Sequence, residues 1–198
     1  MQLDTAKITQ ERRQIGANNV EAASHLVFLI APTADPARLP HGAMLRQRLK
    51  AADHKLADGE PFHTQLPNAH GTRVSLLPVD PAKSTFELLS RARETVAAQR
   101  SPAPATLTVA CVGLEPEQAE RSCEAVVAAA LAAEFPMPSF KSKPEPVTRL
   151  KAIHIYGHVA DHGYARTLAE ARGNNLARFL TALPPNELTP GNYRQRVL

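Results

Sequence analysis

A chain of 198 residues, 43% hydrophobic and 21% charged, has the make-up of a soluble globular protein long enough to bury one sound core. Its formal charge of +4 permits contact with nucleic acid but does not demand it, because a dedicated binder concentrates its charge in one patch. The start, Met1 to Arg13, has no apolar h-region, the longest apolar run is too short for a bilayer, and Cys111 and Cys123 form no Cys-x-x-Cys pair, so these features point away from a secretory signal, a membrane span and a zinc knuckle.

In chain order, residues 1–24 are polar, with a short strand expected near Met1 to Ile8. His25 to Ala31 is a continuous apolar run with β-branched members, closed by Pro32, and reads as a buried strand. Residues 32–71 mix Pro, Gly, Asp and His around one helix expected at Ala43 to Ala52. Thr72 to Val79 reads as a strand whose Pro78 belongs at an edge or an end. Ser84-Thr-Phe-Glu87 has the spacing of a capping box, which predicts a helix to about Ala98 with Leu89, Ala92 and Val96 on one face. Pro102 and Pro104 interrupt, and Ala105 to Leu114 is a clear strand.

Glu115-Pro116-Glu117 opens the next helix, with proline early and acids at the positive end of the macrodipole. Its apolar face carries Ala119, Cys123, Val126, Val127 and Ala130, small enough for close packing on a sheet. Both cysteines thus fall in apolar surroundings and read as buried thiols in a reducing compartment. Phe135 to Pro146 is a proline-broken connection, Leu150 to Tyr156 alternates as a strand, and a long helix is expected from Asp161 or His162 to Leu183. Gly173 inside it costs about 1 kcal/mol relative to alanine and suggests a close contact or a bend. Pro184-Pro185 ends the helix, and Asn-Glu-Leu-Thr-Pro-Gly reads as a turn into a new element.

Asn175-Leu-Ala-Arg178, then Leu180 and Pro184-Pro-Asn-Glu-Leu-Thr-Pro190, resembles the interdomain segment of the leucyl (cytosol) aminopeptidases, which are two-metal hexameric exopeptidases. Ser139-Phe-Lys-Ser-Lys-Pro144 is a second point of resemblance. Phe179 stands where that family usually has an acid and Ala182 where Asn is common. The resemblance is strongest over residues 105–190 and weak before residue 72. It implies an α/β domain of three layers, a mixed sheet with helices on both faces similar to macro domains, followed by a long interdomain helix. The expected organisation is an N-terminal α/β domain at 1–160, the interdomain helix at 161–183 and the start of a catalytic domain at 184–198. The family's metal ligands and catalytic Lys and Arg lie downstream of this segment, so the two divalent metals, zinc or manganese, are expected on the parent and none on this chain.

His154, His158 and His162 recur every four residues, but on a strand that spacing is about 13 Å, too far for one ion. There is no Gly-x-Gly-x-x-Gly, Walker loop or His-Glu-x-x-His. Asp80, Glu87 and Glu134 have capping or surface roles open to them. Lys141, Lys143, Arg149 and Lys151 form the densest basic run, readable as a weak phosphate-contacting patch or as a solvated edge. Gly16-Ala-Asn-Asn19 is the only stretch faintly like a macro-domain loop, so nucleotide binding has little to rest on.

The function expected is therefore that of a non-catalytic N-terminal domain of a cytoplasmic leucyl aminopeptidase-like metallopeptidase, a hydrolase that removes N-terminal residues from peptides. Its partners would be the catalytic domain and the other subunits of a hexamer, with subunit packing or access control as its task, and no membrane. The alternative is a stand-alone binding module for nucleic acid or a nucleotide.

Overall fold

The computed structural model describes residues 5–133, 135, 137–140, 143 and 148–197. Among these residues six strands are present: β1 (Lys7–Glu11), β2 (His25–Ile30), β3 (Phe62–Gln65), β4 (Arg73–Pro78), β5 (Thr106–Val112) and β6 (Ala152–Tyr156). The α-helices are α1 (Ala17–Ala22), α2 (Gly42–Ala51), α3 (Thr85–Ala98), α4 (Pro116–Ala133), α5 (Ala165–Thr181) and α6 (Pro190–Val197). The strands form a single sheet in the order β1-β6-β5-β2-β4-β3, parallel throughout except for β3, which runs antiparallel to β4 at the edge.

A parallel sheet needs cover on both faces, and β2 shows why. All six of its residues are buried. Val27 and Leu29 join the cluster that contains Leu88, Ala92 and Val96 of α3 and the apolar face of α4. Leu26, Phe28 and Ile30 point the other way, into a second cluster with Leu45 and Leu49 of α2 and Val20 of α1. The period of two along one strand thus feeds two cores, and the three-layer α/β architecture expected from the sequence is the one observed. The capping box is formed: Ser84 Oγ accepts from the Glu87 N–H, and the Glu87 carboxylate accepts from the Ser84 N–H. The Ser84 backbone and hydroxyl, then Lys83, pull that carboxyl down to about 2.

Several expected boundaries shift. The first strand lies at Lys7–Glu11, later than expected, because it takes its register from β6, with Lys7 opposite Ala152. α1 and β3 were not anticipated at all. Pro78 ends β4 as expected, but β4 is internal, between β2 and β3. The long helix starts at Ala165, not at Asp161 or His162, because Gly163 and Tyr164 both sit at positive φ, +56° and +60°, which no α-helix accommodates. Gly173 makes no close contact: nothing lies within 4 Å of where its Cβ would be, and α5 runs through it unbroken.

Candidate functional site: the seam between α4 and α5

Part of the resemblance in sequence, Asn175 to Arg178, lies on α5, and the structure explains those residues by what they do at the end of α4. A helix leaves its last carbonyls without intrahelical donors. Arg178 Nη1 donates to Ala132 O at 2.7 Å, and Asn175 Nδ2 reaches Leu131 O at 3.5 Å. The guanidinium therefore sits at the negative end of the α4 dipole. Asn175 is buried beside Thr167 and Ala171 on the same face of α5. Facing them, α4 presents alanines, which let the two helices approach and leave a groove of about 560 Å³ walled by Ala128, Ala132, Thr167, Ala171, Asn175 and Arg178.

The N-terminal end of the seam is built differently. Ala160 O accepts from the Gly163 N–H, and His162 O accepts from the Ala165 N–H across Gly163 and Tyr164, the two positive-φ positions of a type I′ turn. Tyr164 is a bulky residue in the left-handed region, yet its side chain is wholly buried. Burial, and then the adjacent Cys123 thiol, push its hydroxyl well above the ordinary tyrosine range.

His162 lies against α4, with Nε2 at 2.9 Å from Glu120 Oε1 and 3.6 Å from Glu124 Oε1. One ligand atom from each of the three lies within 4.8 Å of the other two. Two carboxylates four residues apart on a helix and an imidazole are a donor set a divalent ion could use. The tautomer speaks for a different role. His162 Nδ1 accepts the Tyr164 N–H at 3.1 Å, so the ring proton is on Nε2 and is donated to Glu120. An ion at Nε2 would need the other tautomer and would cost that backbone bond. The trio is best described as an anchor holding the start of α5 onto α4.

The other sequence candidates are dispersed. His154, in β6, bonds Thr9 Oγ1 of β1. His158 is buried beyond the end of β6, where burial above all lowers its pKa. The three histidines are not gathered at one point. Of the basic run, Lys141 lies outside the described residues, and Lys143, Arg149 and Lys151 are exposed. The Lys151 backbone is held between the sheet neighbours, donating to Ala105 O and accepting from the Lys7 N–H. Among the described residues these are three exposed cations in a connection and at the edge of β6, so any binding to a labelled DNA duplex should be weak and should fall steeply between low and moderate salt. Tight, sequence-selective binding at moderate salt would mean that a recognition element lies elsewhere.

Sequence reasoning missed one feature of the sheet. Beyond the carboxyl ends of β2 and β5 their connections leave toward opposite sides, which is where open α/β sheets form ligand crevices. A cavity of about 300 Å³ lies there, bounded by Ile30, Asp35, Arg38, Leu39, Val112 and Gly113. Asp35 is committed to capping the Ala37 N–H at 3.0 Å, so the crevice offers one exposed guanidinium and mostly apolar walls.

Among solved structures, a mutant tomato leucine aminopeptidase is similar to this chain with a TM-score of 0.60 and 20% identity, covering 95% of this chain and 41% of that one. The likeness is one of fold. The shared fold, mixed α/β with a six-stranded sheet and a long helix, is consistent with an aminopeptidase's N-terminal domain. The chain thus spans about two fifths of the neighbour it matches. No family model matches, and no curated protein is detectably similar in sequence. No helix among the described residues is long and apolar enough to cross a membrane.

Proposed function

We propose that this chain is the non-catalytic N-terminal domain of a leucyl aminopeptidase-like metallopeptidase, together with the helix that leads into its catalytic domain. The observation that carries this is the division of α5. Its buried residues, Thr167, Ala171 and Asn175, all fall in the first two thirds of the helix. Beyond Asn175, the apolar Leu176, Phe179, Leu180 and Leu183 are partly buried and none is fully buried, and no described side chain of α6 is buried. A helix that is fully buried only along its first part, with a partly exposed apolar stripe beyond, suits a joint whose second partner is a following domain. The likeness to an aminopeptidase, and the motif Asn175-Leu-Ala-Arg178 followed by Pro184-Pro185, support the same reading.

In such a parent the chemistry belongs to the following domain, where two divalent ions, zinc or manganese, activate a water that attacks the carbonyl after the N-terminal residue of a peptide. This domain would pack subunits of a hexamer and restrict access to their sites. The chain by itself is expected to hydrolyse no leucyl-p-nitroanilide with added Mn²⁺ or Zn²⁺. Turnover that persists through repurification would contradict the assignment. A reading frame that continues past Leu198 into the family's metal-binding motifs would support it, and a stop codon there would favour a stand-alone module.

A further inference from the structure

Cys111 lies in the middle of the carboxyl half of β5 and Cys123 on the buried face of α4, and their sulfurs are 3.2 Å apart. Both thiols are free and both are buried, at 2% and 0% exposure. No other cysteine exists in the chain to compete for either. We infer that Cys111 and Cys123 are an oxidation site, joined by a small hydroperoxide into an internal disulfide that staples β5 to α4 beneath the start of α5.

The sulfurs need to close by only about 1 Å to reach bonding distance, since a disulfide measures about 2.04 Å. The step balances without any further reagent. One cysteine, as thiolate, attacks a peroxide oxygen and the O–O bond breaks. The product is a sulfenic acid, and the departing hydroxide takes the thiol's proton as water. The second sulfur then attacks the sulfenic sulfur, the S–S bond forms and the S–O bond breaks. The second hydroxide leaves with the second thiol's proton, again as water. Two thiols lose two electrons and one peroxide becomes two waters. A sulfenic acid formed beside a second thiol condenses with it faster than it meets another peroxide, because the partner is already in place.

The surroundings set the rate. The hydrogen bond to Cys123, then burial, push the Cys111 thiol far above its ordinary range, so the closed pocket holds very little thiolate. The wholly buried Tyr164 lies against Cys123 at the head of α5. Oxidation therefore proceeds through opening of the seam, and the disulfide, once formed, locks β5, α4 and the Tyr164 pocket together.

The test uses the full reduced chain, exposed to hydrogen peroxide in urea just below its unfolding transition, then alkylated and digested with trypsin. Cleavage after Arg100, Arg121 and Lys141 places the cysteines in separate peptides, 101–121 and 122–141. The expected result is one covalently linked pair of these peptides, protected from alkylation and released by dithiothreitol. The Cys123→Ser chain should give no linked pair within one molecule, and since the main readout comes from the unmutated protein, a misfolded variant would not leave the inference untested. Thiols that remain alkylatable, oxygen adducts on unlinked peptides, or disulfides only between two chains would each overturn it.

Discussion

Replacing Gly157 with alanine should lower the melting temperature by roughly 6–12 °C, the equivalent of about 3 kcal/mol in a chain of this size. Gly157 ends β6 at φ +80°, and a Cβ there would lie 2.3 Å from Cys111 O. The left-handed conformation alone costs an L-residue about 1–2 kcal/mol. The clash adds to it, because the oxygen belongs to the backbone of β5, which is paired on both sides and cannot retreat. The Gly157 N–H also bonds Glu11 O and Arg13 O, at 2.9 and 3.0 Å, so the loop cannot simply swing away. Gly113 provides the control. It has a similar φ of +67° but open space at its Cβ position, so Gly113→Ala should cost only the conformational part. Equal losses at the two positions, measured by thermal unfolding, would show that the close approach of β6 to β5 has been misjudged.

The second large effect is at Tyr164. Removing a fully buried aromatic ring costs about 3–5 kcal/mol, so Tyr164→Ala should be among the most destabilising single changes in the chain. It empties the space between α4 and the first turn of α5. Tyr164→Phe should be neutral or slightly stabilising, because the hydroxyl it removes is buried and makes no ordinary hydrogen bond. If Tyr164→Phe instead costs about as much as a lost buried hydrogen bond, roughly 1–3 kcal/mol in a urea titration, the hydroxyl has a real partner in the Cys123 thiol.

Much of this was legible along the chain, and the exceptions have physical causes. β2 and β5 announce themselves because strands buried on both faces must be apolar throughout. The Ser84–Glu87 box is local chemistry and reads directly. β3 was invisible because it has four residues, alternates half-buried with exposed, and exists only by pairing with β4. The true start of α5 was missed because Asp161 and His162 look like ordinary helix openers, whereas a left-handed tyrosine is allowed only by the pocket that receives it. The Glu120–Glu124–His162 anchor and the Cys111–Cys123 pair are non-local. Cys111 and Cys123 were each placed correctly, on β5 and α4, whereas His162 lies in the turn before α5 and not in the helix expected to start there; both meetings depend on how α4 lies on the sheet, which no spacing encodes. The four-residue step between Glu120 and Glu124 on a helix was the one available signal for the anchor.

The reading of α5 as a joint is tested most directly by Phe179→Ser combined with Leu183→Ser. If this domain's own core covered the stripe, burial of two such side chains would be worth roughly 3–6 kcal/mol and the melting temperature would fall by about 6 °C or more. Both are partly buried here, beyond the last fully buried residue of the helix, Asn175. At a concentration where the chain is monomeric, the account predicts a fall of no more than about 3 °C, and hydrogen-exchange protection in the unsubstituted chain that declines from Leu168 toward Leu183. A fall of about 6 °C or more, with protection sustained to Leu183, would place the whole helix in this domain and contradict the joint.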